Sequence, residues 1–161
     1  MNLRRFFLAV VVVAGMVVMS HSVVFAQEVF FAVLLGGNEV DSETDQAGVG
    51  DPNGFGGATV IIVGNTVCFG LVFNNIATPT VAHIHENVAG QNGSVVVDFI
   101  GGESGIDPPE SGDPGSASGC VSDDAIKDPT VLNRIRSNPS RFYVNVHNGA
   151  FTGGAIRGQL F

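Results

Sequence analysis

Positive charge is scarce in this sequence. Seven Lys and Arg stand against fifteen Asp and Glu, and Lys127 is the only lysine. Nucleic acid and anionic membrane surfaces reward clustered cations, so the composition argues against both as partners. Long apolar runs are missing once the first 26 residues are passed, and no later stretch reaches the roughly 20 residues a bilayer span requires. No Gly-x-Ser-x-Gly turn presents a nucleophile, and no carboxylate falls in a recognisable catalytic motif, so catalysis has little support. Asp41, Glu43 and Asp45 alternate like the opening of a calcium loop, but Gln46 stands where the glycine belongs and Pro52 where the closing glutamate belongs, which excludes an EF-hand.

What is present begins with a leader. Arg4 and Arg5 precede an unbroken apolar or small-residue run from Phe6 to Met19. Val24-Phe25-Ala26 then offers the small or permissive residues read at a cleavage site, so residues 1–26 are expected to be a signal peptide removed before Gln27. The expected mature domain is residues 27–161. With Arg4 and Arg5 gone, five basic residues face fifteen acidic ones, a net charge of −10. The expected location is secreted, either periplasmic or extracellular, with no membrane span after cleavage. No cysteine follows the cleavage point that would make the chain a lipoprotein. Cysteine is otherwise scarce: Cys68 and Cys120 are the only two. In the oxidising conditions an exported chain meets, they read as one disulfide.

Glycine is abundant, with 22 residues, and short β-branched and aromatic runs are punctuated by turn residues, the pattern of a sandwich or barrel. Strands are predicted over 29–35, 58–63, 66–73, 80–86, 94–100, 142–147 and 155–161. Gly64-Asn65 between two such runs signals a hairpin. Residues 101–119, rich in Gly, Pro and Ser, read as a surface excursion pinned at its far end by Cys120. One helix is predicted: Asp128 as N-cap, Pro129 in the first position, an apolar stripe of Val131, Leu132 and Ile135, and Asn138-Pro139 as the stop. Seven or so strands must cover both faces of their sheet. The expected fold is therefore all-β, an antiparallel Greek-key sandwich or flattened barrel with one short helix.

Two groups of polar residues fall on predicted strands. His83-Ile84-His85 places two imidazoles on one side, since side chains alternate along a strand. Paired histidines at this spacing can chelate a transition metal, and His147 would complete a three-histidine site for copper or zinc if its strand end lies near His85. The structural alternative is that His83 and His85 tie the 87–93 loop to the sheet through backbone carbonyls. The second group is Tyr143, Asn145 and His147 on one face of a strand, with Arg157 and Gln159 aligned on the next. Asn145, Arg157 and Glu39 are assigned structural polar roles. Arg157 is expected to pair with Glu86 or Asp98, or to clamp backbone carbonyls.

These motifs resemble the CHRD (chordin-type) domain family. Val29 to Val40, an apolar strand leading into Gly37-Asn38-Glu39-Val40, is similar to its opening. Ala82-His83-Ile84-His85 followed by Ala89-Gly90-Gln91-Asn92-Gly93 resembles its central signature. Phe142 to His147 and Gly153 to Leu160 resemble its C-terminal one. The prolines that commonly follow the opening turn are replaced by Asp41-Ser42. The resemblance implies an extracellular β domain in a stand-alone, single-domain secreted form. Taken together, the sequence favours a binding or matrix module without catalysis, with an extracellular protein or glycan as partner. The alternative is an exported copper- or zinc-binding protein, distantly similar to superoxide dismutases.

Overall fold

Alternation sorts each extended segment into two sets. In the strand β1 (Gln27–Leu35), Phe30, Ala32 and Leu34 are buried while their neighbours are exposed. The same rule buries Ala58, Val60 and Ile62 of β2 (Phe55–Val63), and Val67, Phe69, Leu71 and Phe73 of β3 (Thr66–Asn74). β4 (Pro79–Glu86), β5 (Ser94–Ile100), β6 (Gly115–Val121), β7 (Phe142–Asn148) and β8 (Ile156–Gln159) complete the set. A single helix, α1 (Val131–Ser137), adds Val131, Leu132 and Ile135 to the core. This computed structural model describes residues 26–161. The expected leader, but for Ala26, lies outside the described residues.

The eight strands form one sheet in the order β5-β4-β7-β8-β1-β2-β3-β6, and every neighbouring pair is antiparallel. The sheet curls until its ends nearly meet. Val97 of β5 bridges Ile126, just beyond β6, and the Lys127 N–H donates to the Val96 carbonyl at 3.0 Å. The fold is thus the all-β antiparallel barrel of the two expected alternatives, with its one short helix.

Two sequence expectations need correction. The segment read as an excursion ends in the first five residues of β6. Its Gly, Ser and Ala residues give no apolar alternation; the strand exists because β3 offers it a partner edge from Phe73 to Val67. Glycine is required there by space: a Cβ at Gly115 would lie 2.4 Å from the Phe73 ring. The helix also starts later than predicted. Thr130 is its N-cap, and Asp128 instead accepts from the Thr130 N–H at 2.9 Å and hydroxyl at 2.7 Å, organising the turn that precedes the helix.

Cys68 and Cys120 face each other directly across β3 and β6 and are joined as a disulfide, 52 residues apart in sequence. Closing so long a loop restricts the unfolded chain by about 4 kcal/mol. Cys68→Ser with Cys120→Ser should lower stability by roughly that amount, read as a reduced urea midpoint. An unchanged midpoint would mean the sheet alone holds β6.

Candidate metal centre

The register of β4 against β7 assembles the site. His83 lies opposite Asn145, His85 opposite Tyr143, and His147 opposite Val81. Ala82, Ile84, Val144 and Val146 point into the core, so alternation turns all three histidines outward onto one shared face of the barrel. Two loops cover that face. Gly93 offers its carbonyl to Nδ1 of His85 at 2.9 Å, and Thr152 offers its carbonyl to Nδ1 of His147 at 3.0 Å.

Those two contacts decide the tautomers. A carbonyl only accepts, so each Nδ1 carries the proton and each Nε2 keeps its lone pair. Nε2 of His85 and Nε2 of His147 are both buried without a hydrogen-bond partner, as is Nδ1 of His83. Nε2 of His83 lies 3.8 Å from the Asp98 carboxylate. Burial holds His83 and His85 down to a pKa of about 4, and lowers His147 as well. All three rings are therefore neutral at pH 7.

One ring nitrogen from each histidine lies within 4.8 Å of those of the other two. Metal–nitrogen bonds of about 2.0–2.1 Å put ligands of a three- or four-coordinate ion roughly 3.3–3.5 Å apart, so closure by at most about 1.5 Å brings the trio into a coordination sphere. The sequence marked these three residues but offered no sign of where His147 falls. The fold brings all three together.

Around the trio lies a layer of orienting groups. The Arg157 guanidinium sits 3.4 Å over the Tyr143 ring, and the other neighbour of that ring is His85, stacked at 4.8 Å with a 4° interplanar angle. Arg157 donates to the Gln91 carbonyl at 2.6 Å, the Val88 carbonyl at 3.3 Å and the Asn92 side-chain oxygen at 3.2 Å. Gln159 donates to the Asn87 carbonyl at 2.6 Å, and the Gly93 N–H donates to the Tyr143 hydroxyl at 3.1 Å. The 87–93 loop is thereby fastened to the sheet, and its Gly93 carbonyl is held where His85 needs it. Metal-binding histidines characteristically donate their second ring nitrogen to such a carbonyl or carboxylate.

Arg157 uses neither carboxylate expected for it. Glu86 is paired with Arg134 at 2.9 Å, and Asp98 with Lys127 at 2.6 Å. Burial alone would raise Asp98, but hydrogen bonds from Lys127 and the Glu103 N–H hold it below the usual carboxylate range. Glu39, 1% exposed, takes a hydrogen bond from the Asn145 amide at 3.3 Å. Its other oxygen, Oε1, and Oδ1 of Asn145 are buried without partners. Burial pushes the Glu39 pKa up to about 8, against the opposing charge of Arg157 and the Asn145 hydrogen bond. A glutamate just after a strand reads as surface, so nothing in the sequence signals its burial.

These features define a class: a small antiparallel β-barrel with a loop-covered trio of neutral histidines on its outer face. The sequence pattern of the CHRD domain matches residues 30–160, and the chain belongs to the CHRD domain family. No curated protein and no solved structure matches it.

Proposed function

We propose that this chain is an exported CHRD domain that binds one transition-metal ion, copper or zinc, through His83, His85 and His147. The observation that carries this reading is the convergence of three neutral imidazoles, His85 and His147 buried and His83 partly buried, each with one buried ring nitrogen unpartnered. An orphaned buried polar atom costs about 1–3 kcal/mol, and three in one place make a poor structural core but a suitable nitrogen donor set. Imidazole suits both copper and zinc, with copper(II) the tighter of the two at a given nitrogen site. Export rests on the leader at residues 1–26 and agrees with the disulfide and with family membership. Among the described residues, no helix is long and apolar enough to cross a membrane.

Elemental analysis and calorimetric titration of the disulfide-formed protein test this. The expected result is one ion per chain, and at a free-metal concentration 100-fold above Kd a gain of about 2.7 kcal/mol in stability. His85→Ala with His147→Ala should abolish uptake while leaving the far-ultraviolet circular dichroism spectrum intact. Uptake that survives in that variant would remove the site.

The second reading, a binding or matrix module without catalysis, is favoured by a different feature: an uncharged apolar sheet face away from the histidines.

A further inference from the structure

Ten large apolar side chains are exposed among the described residues, and only Val49 and Val88 among them lie away from one face of the barrel. That face is the outer side of β1, β2 and β3, continued by Phe161. β1 is apolar on both sides, because Phe31 and Val33 turn outward at 48% and 58% exposure while Phe30, Ala32 and Leu34 fill the core. A strand exposed on one face ordinarily alternates apolar with polar; one apolar on both faces reads as covered on both. No Asp, Glu, Lys or Arg stands at any outward position of β1, β2, β3 or β6.

The face has relief. The Phe31 and Phe161 rings lie 6.3 Å apart, and Phe161 is held there by paired backbone hydrogen bonds to Phe31, each 3.0 Å. Together they make a ridge. Beside it the register sets Gly57 opposite Val33 and Gly70 opposite Thr59. Small residues there leave a groove of about 720 Å³, bounded by the ridge on one side and Val72 on the other. Ridge and groove thus lie side by side on one patch, the arrangement a two-fold axis needs to seat each ridge in the other copy's groove.

Area and charge name the occupant. With exposures of 36–66% on residues of roughly 150–250 Å² each, the eight present about 600–1,000 Å² of largely apolar surface. That is close to the ~800 Å² per partner of a standard stable interface. The rest of the chain carries strong negative charge, a net −8 over the full sequence, so this uncharged face is where two identical copies can meet without like-charge contact.

We propose that two copies of this chain associate through the outer face of β1, β2 and β3, with the Phe31–Phe161 ridge of each lodged in the Gly57–Gly70 groove of the other. The association is independent of the histidines, so it stands or falls apart from the metal reading.

Sedimentation velocity on the protein purified in its exported form tests it. At about 10 μM, above the micromolar limit for interfaces of this size, the expected species is a dimer. Gly70→Arg should shift it to monomer, and so should Val33→Glu. A Cβ at Gly70 meets nothing within 4 Å, so the arginine variant fills the groove without disturbing the barrel. It keeps the test decisive if the glutamate variant folds poorly. Variants of His85 and His147 should remain dimeric. A wild-type monomer at about 100 μM would overturn the proposal, as would dimers that persist in Gly70→Arg. Monomeric wild type that binds phosphatidylcholine vesicles would assign the face to lipid instead.

Discussion

Arg157→Met should lower stability by about 3–5 kcal/mol and free the loop over His85. Arg157 is 1% exposed, and its guanidinium satisfies the carbonyls of Val88 and Gln91 together with the Asn92 side-chain oxygen. Methionine matches much of its volume but donates nothing. Each acceptor left buried and unpaired costs about 1–3 kcal/mol, and loop opening to water would recover part of that. Arg157→Lys should rescue little, because a compact ammonium cannot span three acceptors while stacking flat on Tyr143. Two measurements separate this from a general loss of packing. Hydrogen exchange at the Gly93 amide, bonded to the Tyr143 hydroxyl, should accelerate more than at core amides of β2. Affinity for copper or zinc should fall while the His147 side of the site is unchanged. Uniform exchange across the barrel would show that Arg157 holds the fold, not the loop.

Glu39→Gln should stabilise the protein above pH 8 and leave it nearly unaffected at pH 4. The sign follows from linkage. The folded-state pKa of Glu39 is raised to about 8 from 4.5. Between those two values the unfolded chain has released the proton while the folded chain still holds it. The unfolded state then binds fewer protons, so stability falls as pH rises through this window. At 1.36 kcal/mol per pKa unit, the penalty approaches about 4–5 kcal/mol above pH 8. Glutamine has the shape of the protonated carboxyl and cannot ionise, so it removes the slope. Urea denaturation of both proteins from pH 4.5 to 9 checks this: the curves should coincide at the acid end and diverge steadily. Parallel curves would mean Glu39 is ionised in the folded protein, its charge met by Arg157.

The histidines show how far sequence reading extends. His83 and His85 were legible as a pair because β alternation is local: any residue two along a strand shares its face. The mutual alignment of Tyr143, Asn145 and His147 was legible for the same reason. Their meeting was not. It depends on β4 lying beside β7 in the register that sets His83 opposite Asn145, a pairing between segments about 60 residues apart in sequence. Tying down a loop and keeping a ring nitrogen free for a ligand are not exclusive roles for His85. Its Nδ1 does the first through Gly93, and that leaves its Nε2 unpartnered.

β6 and Glu39 mark the other limit. A run of Gly, Ser and Ala has no pattern of its own, and it becomes a strand only because β3 presents an open edge. Glu39 is ionisable and follows the Gly36–Asn38 turn, so its local chemistry points to solvent. It is buried because its side chain packs directly against Gly50 and Gly154, where a Cβ would lie about 2.5 Å from it.

By itself the sequence determined the all-β class, the inward and outward sets on most strands, the short helix and the identity of the three histidines, because each is governed by neighbours within a few residues. The strand order, the closure of the barrel, the convergence of the imidazoles and the burial of Glu39 were decided only in the tertiary structure. Each of these depends on which distant segments exclude water from one another, and no local pattern carries that information.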